Sequence, residues 1–294
     1  MIRDVVRRPR CATAAVACAV VASALVPVAS QAEDRDPTAL YLVTLAGPGT
    51  AGAHADDAAR MTTEQEALLD LVGAADPVYR WTTALNGFAV ELDADQAATL
   101  SSHPDVAAVE ENAVRPLAGN PRPAGAAAAV PAETSGGAGT VIGFVDTGIE
   151  PRNRAFSQVA ALGPPDRDFR GGCPDAPDEE DWGTDACTDK VVGARYFVDG
   201  FGVDRLRATS SLSPLDVDGH GTQMASIAAG TAGVQVRVES QGLGRFSGVA
   251  PQARIASYKA CWSAPDPRDD GCATADLVAA IDQATADGVD VLNL

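Results

Sequence analysis

The chain has 294 residues, enough for about two domains, and its 46% hydrophobic and 21% charged content is that of a globular protein with a buried core. Its formal net charge is -18, and the only lysines among its 22 basic residues are Lys190 and Lys259. That balance excludes a basic nucleic-acid-binding stripe and leaves a solvated acidic surface.

The N-terminus reads as a secretion leader. Arg3, Arg7, Arg8 and Arg10 precede an apolar, alanine-rich run at 12–28, and Ser30-Gln31-Ala32 puts small residues at the two positions a signal peptidase reads. A transmembrane anchor is the competing reading, but the run is short for a bilayer span, contains Pro27 and is poor in Leu and Ile. The expectation is a leader over 1–32, export of the chain and no membrane span once the leader is removed. Cys11 and Cys18 fall in the leader, which leaves Cys173, Cys187, Cys261 and Cys272. An even set in an exported chain favours disulfides, and no pair has the Cys-x-x-Cys spacing of a zinc site. The sequence-local pairing joins Cys173 to Cys187 and Cys261 to Cys272.

After the leader, residues 39–45 predict a strand. Residues 62–72 predict a helix with Leu68, Leu69 and Val72 on one face and Thr63 and Glu66 in capping-box spacing near its start. Residues 79–92 hold Asn86-Gly87 between two strand-like halves, 80–85 and 88–92. Asp93 caps a second helix at 94–101, and 106–114 is a final strand. The order strand, helix, strand, strand, helix, strand is the split βαβ pattern of a small α+β, ferredoxin-like domain, placed at 39–117. Residues 118–139, rich in Ala, Gly and Pro, read as a linker.

From 140 onward the pattern becomes α/β. Residues 141–145 are a continuous apolar run, as in a buried parallel strand. A long Pro-, Asp- and Gly-rich excursion at 153–190 is followed by a strand at 191–198, a helix of small residues at 222–230 and a strand at 254–260. Thr274 is read as the cap of a helix that carries Leu277, Ala280, Ile281 and Ala284 on one face and stops at Gly288; residues 289–294 begin the next strand. Alternation of this kind implies a parallel sheet covered on both faces, with functional loops at the carboxyl ends of its strands.

Two residues there carry chemistry. Asp146 closes an apolar strand, where a lone carboxylate is costly unless something pairs with it. His220 lies between Gly219 and Gly221, which let backbone approach closely and leave the imidazole clear, whereas His54 and His103 lie on polar loops. Together they read as a general base and its orienting acid. Ser226 lies on the same predicted helix as His220 and points away from it, and Ser247 has no helix N-terminus behind it, so neither is taken as a nucleophile. No Gly-x-Gly-x-x-Gly stands at a strand-to-helix turn, which discounts a nucleotide site.

The chain resembles the subtilisin-like serine proteases, the subtilases. The resemblance rests on Val-Ile-Gly-Phe-Val-Asp-Thr-Gly-Ile at 141–149, Asp-Gly-His-Gly-Thr at 218–222 and Gly-Val-Ala-Pro-Gln-Ala-Arg-Ile-Ala at 248–256. The cysteine spacing and Val-Val-Gly-Ala-Arg-Tyr-Phe at 191–197 are similar to the branch that includes plant subtilases. Residues 40–116 resemble the family's inhibitory propeptide, notably Leu85-Asn86-Gly87-Phe88-Ala89 and Val106-Ala107-Ala108-Val109-Glu110. The resemblance implies a peptidase domain of subtilisin-like fold over 140–294, incomplete at its C-terminal side, hydrolysing polypeptides through an Asp-His-Ser triad in the subtilisin order. It makes Asp146 the triad acid, His220 the base, and the propeptide an intramolecular inhibitor and folding aid. Asp218 is then a usual neighbour of the histidine, and Gln223 departs from a position where the family often has a second histidine.

The family's serine, in a Gly-Thr-Ser-Met-Ala-like motif, and its oxyanion asparagine are absent up to Leu294. They are expected on later segments, so these 294 residues by themselves are expected to be inactive. An unpaired apolar edge at 291–294 is expected to make the isolated chain aggregate. A competing reading takes residues 40–116 as a protease inhibitor that places residues 115–117 in an enzyme's cleft. Calcium sites are common in the family, but no acidic cluster here has the spacing of one, so no cofactor is assigned.

Overall fold

The computed structural model describes residues 37–51, 55–117, 136–157, 162, 168–173, 182–183, 185–238 and 241–294. The predicted leader and residues 118–135 of the predicted linker lie outside the described residues. Among the described residues no helix is long and apolar enough to cross a membrane.

The N-terminal half contains β1 (Ala39–Pro48), α1 (Ala55–Val72), β2 (Tyr79–Trp81), β3 (Leu85–Leu92), α2 (Ala94–Ser101) and β4 (Val106–Glu111). Its four strands form an antiparallel sheet in the order β2-β3-β1-β4, the α+β arrangement expected of a split βαβ chain. Alternation along the strands sorts the side chains between two faces. Val43, Leu45, Phe88, Val90 and Leu92 meet Leu68, Leu69 and Leu100 of the helices, while Leu42, Trp81 and Ala89 face the other way.

Asp93 caps α2 as expected, and Gln96 completes a capping box: Asp93 Oδ1 accepts from Gln96 N at 2.8 Å and Gln96 Oε1 accepts from Asp93 N at 2.9 Å. Asp93→Ala is expected to cost about 1 kcal/mol in urea denaturation, and an unchanged midpoint would contradict the cap.

Three local expectations need correction. The first helix begins at Ala55, so Thr63 is not at a cap. Its hydroxyl, like that of Thr62, donates to the carbonyl four residues back, Ala59 O at 3.1 Å and Ala58 O at 3.0 Å, which satisfies it within the helix. Asn86-Gly87 is not the hairpin turn: both residues lie inside β3, and residues 82–84 make the connection. The Asn86 side chain is buried and accepts from Gln65 Nε2 at 2.9 Å. A Cβ on Gly87 would meet Val43 O at 2.3 Å, so tertiary packing has claimed the residues that a local turn would otherwise use. The strand predicted at 106–114 breaks after Glu111, and β5 (Val114–Arg115) joins a different sheet.

The C-terminal half adds β6 (Val141–Asp146), β7 (Val191–Tyr196), α3 (His220–Ala229), β8 (Val234–Val238), β9 (Gln241–Phe246), β10 (Arg254–Lys259), β11 (Cys261–Trp262), β12 (Gly271–Ala273), α4 (Thr274–Asp287) and β13 (Val291–Asn293). A parallel sheet runs β13-β6-β10-β7. Phe144, Ala194 and Ile255 pack with Ala225 and Ala229 of α3; Val141, Val145, Ala256 and Tyr258 pack with Ala280 and Ala284 of α4 on the opposite face. This is the two-faced α/β core read from the sequence. Thr274 is not the cap of α4 but its first residue; its hydroxyl donates to Asn112 Oδ1 at 3.1 Å and accepts from Ala113 N at 3.0 Å. Gly288, at φ +81, ends that helix as expected.

The two lysines are not surface charges, since both are almost fully buried. Lys190 Nζ donates to Pro251 O at 2.9 Å and Ala253 O at 2.5 Å; burial and the neighbouring Arg254 push its amine down to about 8. Lys259 Nζ donates to Leu215 O at 2.7 Å and stands 4.3 Å over the Trp262 ring.

Two of the surfaces through which the halves meet are an apolar one and a strand pairing. The outward face of the antiparallel sheet packs Leu42, Trp81 and Ala89 on Ala275, with Val278 alongside. β5 pairs antiparallel with β12, Val114 opposite Ala273 and Arg115 opposite Cys272, in a three-stranded sheet β11-β12-β5.

Candidate active site

Alternation along β6 puts Asp146 on the same face as Phe144, the face covered by α3. The residue is 4% exposed. Thr147 N donates to Asp146 Oδ1 at 2.7 Å, and Ala260 N, just past β10, donates to the Asp146 carbonyl at 3.0 Å. The strand end is therefore held on both sides before any partner side chain arrives.

The partner is His220, the first residue of α3. Its Nδ1 lies 2.8 Å from Asp146 Oδ1 and 3.0 Å from Oδ2. No hydrogen bond is made to its Nε2 among the described residues. An Nδ1–H donated to the carboxylate leaves Nε2 as the ring's proton acceptor. The two residues singled out in the sequence, 74 positions apart, are thus in direct contact.

Glycines allow the approach. Gly148 turns the chain at φ +118, where a Cβ would meet Pro214 O at 2.4 Å, and a Cβ on Gly221 would meet Gly148 O at 2.3 Å. A side chain at 221 would push the start of α3 off the strand end, and one at 148 would displace the loop at 214–216.

Asp216 is the residue that the sequence reading missed. Its carboxylate accepts from Thr147 Oγ1 at 2.9 Å, Gly219 N at 2.8 Å, Thr222 N at 2.8 Å and Thr222 Oγ1 at 2.6 Å. Burial works to raise this carboxyl, but the donors, led by the Thr222 hydroxyl, outweigh it and hold it below the ordinary aspartate value. An Asp a few residues ahead of a helix start is a capping signal, but Asp218 carries that signal as well, so it did not single out Asp216.

The other candidates fall elsewhere. Ser226 Oγ donates to Gln223 O at 2.8 Å and Ser247 Oγ accepts from Gly233 N at 2.9 Å; neither is bonded to His220. Gln223 is exposed. The sulfurs of Cys173 and Cys187, and those of Cys261 and Cys272, stand at disulfide distance, with Cα separations of 5.9 Å and 4.0 Å. Cys261 and Cys272 lie directly opposite one another on β11 and β12, the hairpin that β5 joins.

Comparison with known proteins accounts for both halves. Residues 137–294 match the profile described as the Subtilase family, and residues 41–118 match Peptidase inhibitor I9. Three relatives from Arabidopsis thaliana are similar to the chain. Subtilisin-like protease SBT2.2 is 40% identical over 229 residues, which cover 74% of this chain and 26% of that protein. SBT3.6 is 36% identical over 228 residues, covering 74% and 29%. SBT3.4 is 35% identical over 260 residues, covering 83% and 33%. The chain therefore spans about a third or less of the length of these relatives.

Proposed function

The chain belongs to the subtilase family, and from that premise we propose that the full-length protein is a secreted serine endopeptidase in which Asp146 and His220 are the acid and base of the triad. The observation that carries this reading is the 2.8 Å contact between a buried carboxylate at the end of a parallel strand and an imidazole whose other nitrogen is left to accept a proton.

In this mechanism His220 Nε2 takes the hydroxyl proton of a serine as its oxygen attacks the scissile carbonyl carbon. Asp146 keeps Nδ1 protonated and stabilises the imidazolium. The imidazolium then gives the proton to the leaving amine, the C–N bond breaks, and water hydrolyses the acyl-enzyme by the same relay. On this reading the serine and the oxyanion donors are supplied by another segment, since neither Ser226 nor Ser247 is bonded to His220. A fluorophosphonate probe should label one serine of the full-length protein, and labelling should require native His220. Absence of labelling in a folded full-length preparation freed of the segment at 39–117 would end this reading.

The I9 segment, with boundaries near 39 and 117, is proposed as the intramolecular inhibitor of that site. β5 supports this: the segment adds its last strand to β12 beside the Cys261–Cys272 hairpin, as an extended peptide would. Export is supported by the leader-like composition of residues 1–32 and by the two cysteine pairs at disulfide distance.

A further inference from the structure

The geometry points to Asp216 as a positioning residue that fixes the Asp146–His220 pair from behind, acting through Thr147. The inference rests on the peptidase reading only in its kinetic arm.

Asp216 is not bonded to the His220 ring, and the His220 N–H donates to Asp218 Oδ1 at 3.2 Å, yet Asp216 gathers backbone and hydroxyl donors on both sides of that residue. Oδ1 accepts from Thr147 Oγ1 at 2.9 Å, Gly219 N at 2.8 Å and Asp218 N at 3.1 Å. Oδ2 accepts from Thr222 N at 2.8 Å and Thr222 Oγ1 at 2.6 Å. The residues immediately before and two after His220 are therefore tied to one anion, at the helix end where the backbone dipole favours negative charge.

Thr147 is the relay. Its hydroxyl has one proton, which it donates to Asp216, so its lone pairs face the Gly221 N–H, which donates to it at 2.8 Å. Its own N–H holds Asp146 Oδ1 at 2.7 Å. One residue thus grips the acid by its backbone and the base's neighbour by its side chain, and the charge on Asp216 sets which way the hydroxyl points. The loop that carries Asp216 is anchored in turn, because buried Lys259, the register partner of Asp146, donates to Leu215 O at 2.7 Å.

An Asp216→Asn change keeps the shape but sets an NH2 group against the N–H and O–H donors. The hydroxyl of Thr147 then loses its fixed orientation, and the dyad loosens while the fold persists. The test is the low-field imidazole Nδ1–H proton of this chain, assigned by its loss in His220→Gln among only three histidines. The expected result is a low-field signal in the native chain that moves upfield or broadens away in Asp216→Asn. Thr147→Val should lose it likewise and Thr147→Ser should restore it, all in proteins with native circular dichroism. In the full-length enzyme Asp216→Asn should lower kcat at least about tenfold with KM held within about twofold. If Asp216→Asn does not fold, the Thr147 pair decides. A folded Asp216→Asn or Thr147→Val chain with an unchanged low-field proton overturns the inference, as does its absence from the native chain. A lost proton in the variant, combined with a full-length native protein that hydrolyses no peptide, leaves the positioning role standing and removes the peptidase reading alone.

Discussion

Asp146→Asn in the full-length protein is expected to lower kcat about 10⁴-fold with little change in KM, measured by steady-state hydrolysis of a peptide substrate. The size follows from where the imidazole sits. His220 is the first residue of α3, at the helix end whose exposed N–H groups disfavour a cation, and its side chain is 12% exposed, so water does little to stabilise an imidazolium. The carboxylate at 2.8 Å supplies the countercharge and holds the proton on Nδ1. An asparagine keeps the acceptor for Thr147 N but lacks the charge, and it can present an N–H donor to Nδ1, which selects the tautomer whose Nε2 is already protonated. The fold should survive, since the backbone bond from Ala260 N to the Asp146 carbonyl is untouched. An Asp146→Asn enzyme within tenfold of native turnover would show that the contact has no part in the chemistry.

That pair was legible in the sequence because each member sits in a local setting with few alternatives. A carboxylate closing an apolar strand and a histidine between two glycines are costly arrangements unless they serve each other. The parallel sheet was legible for a related reason: strands buried on both faces read as short unbroken apolar runs, and 141–145 became β6 almost unchanged. What was not legible depends on distant partners. Asn86-Gly87 is a strong turn signal by local rules, yet Gln65 and Trp81 draw it into β3. Thr274 looks like a cap, yet Asn112 and Ala113 of the other half take its hydroxyl. Asp216 stands two residues before Asp218, and only the folded loop distinguishes the hub from its neighbour. The burial of Lys190 and Lys259 had no local signature, because their carbonyl partners lie 44 to 63 residues away.

The contact between the halves is expected to loosen as pH rises through about 6, because two carboxylates of α4, Asp276 and Asp282, accept hydrogen bonds across it. Asp276 is fully buried, and its carboxylate accepts from Gly200 N at 2.7 Å, Phe201 N at 2.9 Å and the Tyr79 hydroxyl at 2.8 Å. Burial prevails over those donors and lifts its carboxyl to about 6. Asp282 accepts from Thr83 N at 2.8 Å and Ala84 N at 2.7 Å; burial raises its carboxyl as well. Once the I9 segment leaves and water reaches them, both groups are expected to return toward the ordinary aspartate value, so that the closed form holds protons more tightly. A raised carboxyl favours the closed form most fully below the ordinary value, and that advantage is lost as pH rises through the raised one. Between pH 5 and pH 7 the closed form should weaken about tenfold from Asp276 alone, with Asp282 acting in the same direction. The reporter is the amide of Thr274, which donates to Ala113 O at 3.0 Å across the contact; its exchange protection, corrected for intrinsic rate, should fall over that range. Asp276→Asn should flatten the profile. Asp282→Ala should lower protection of the Thr83 and Ala84 amides about 10- to 100-fold at either pH, because a charged acceptor is removed from both. Protection of Thr274 that is equal at pH 5 and pH 7 would mean that these carboxylates are as well solvated with the I9 segment in place as without it.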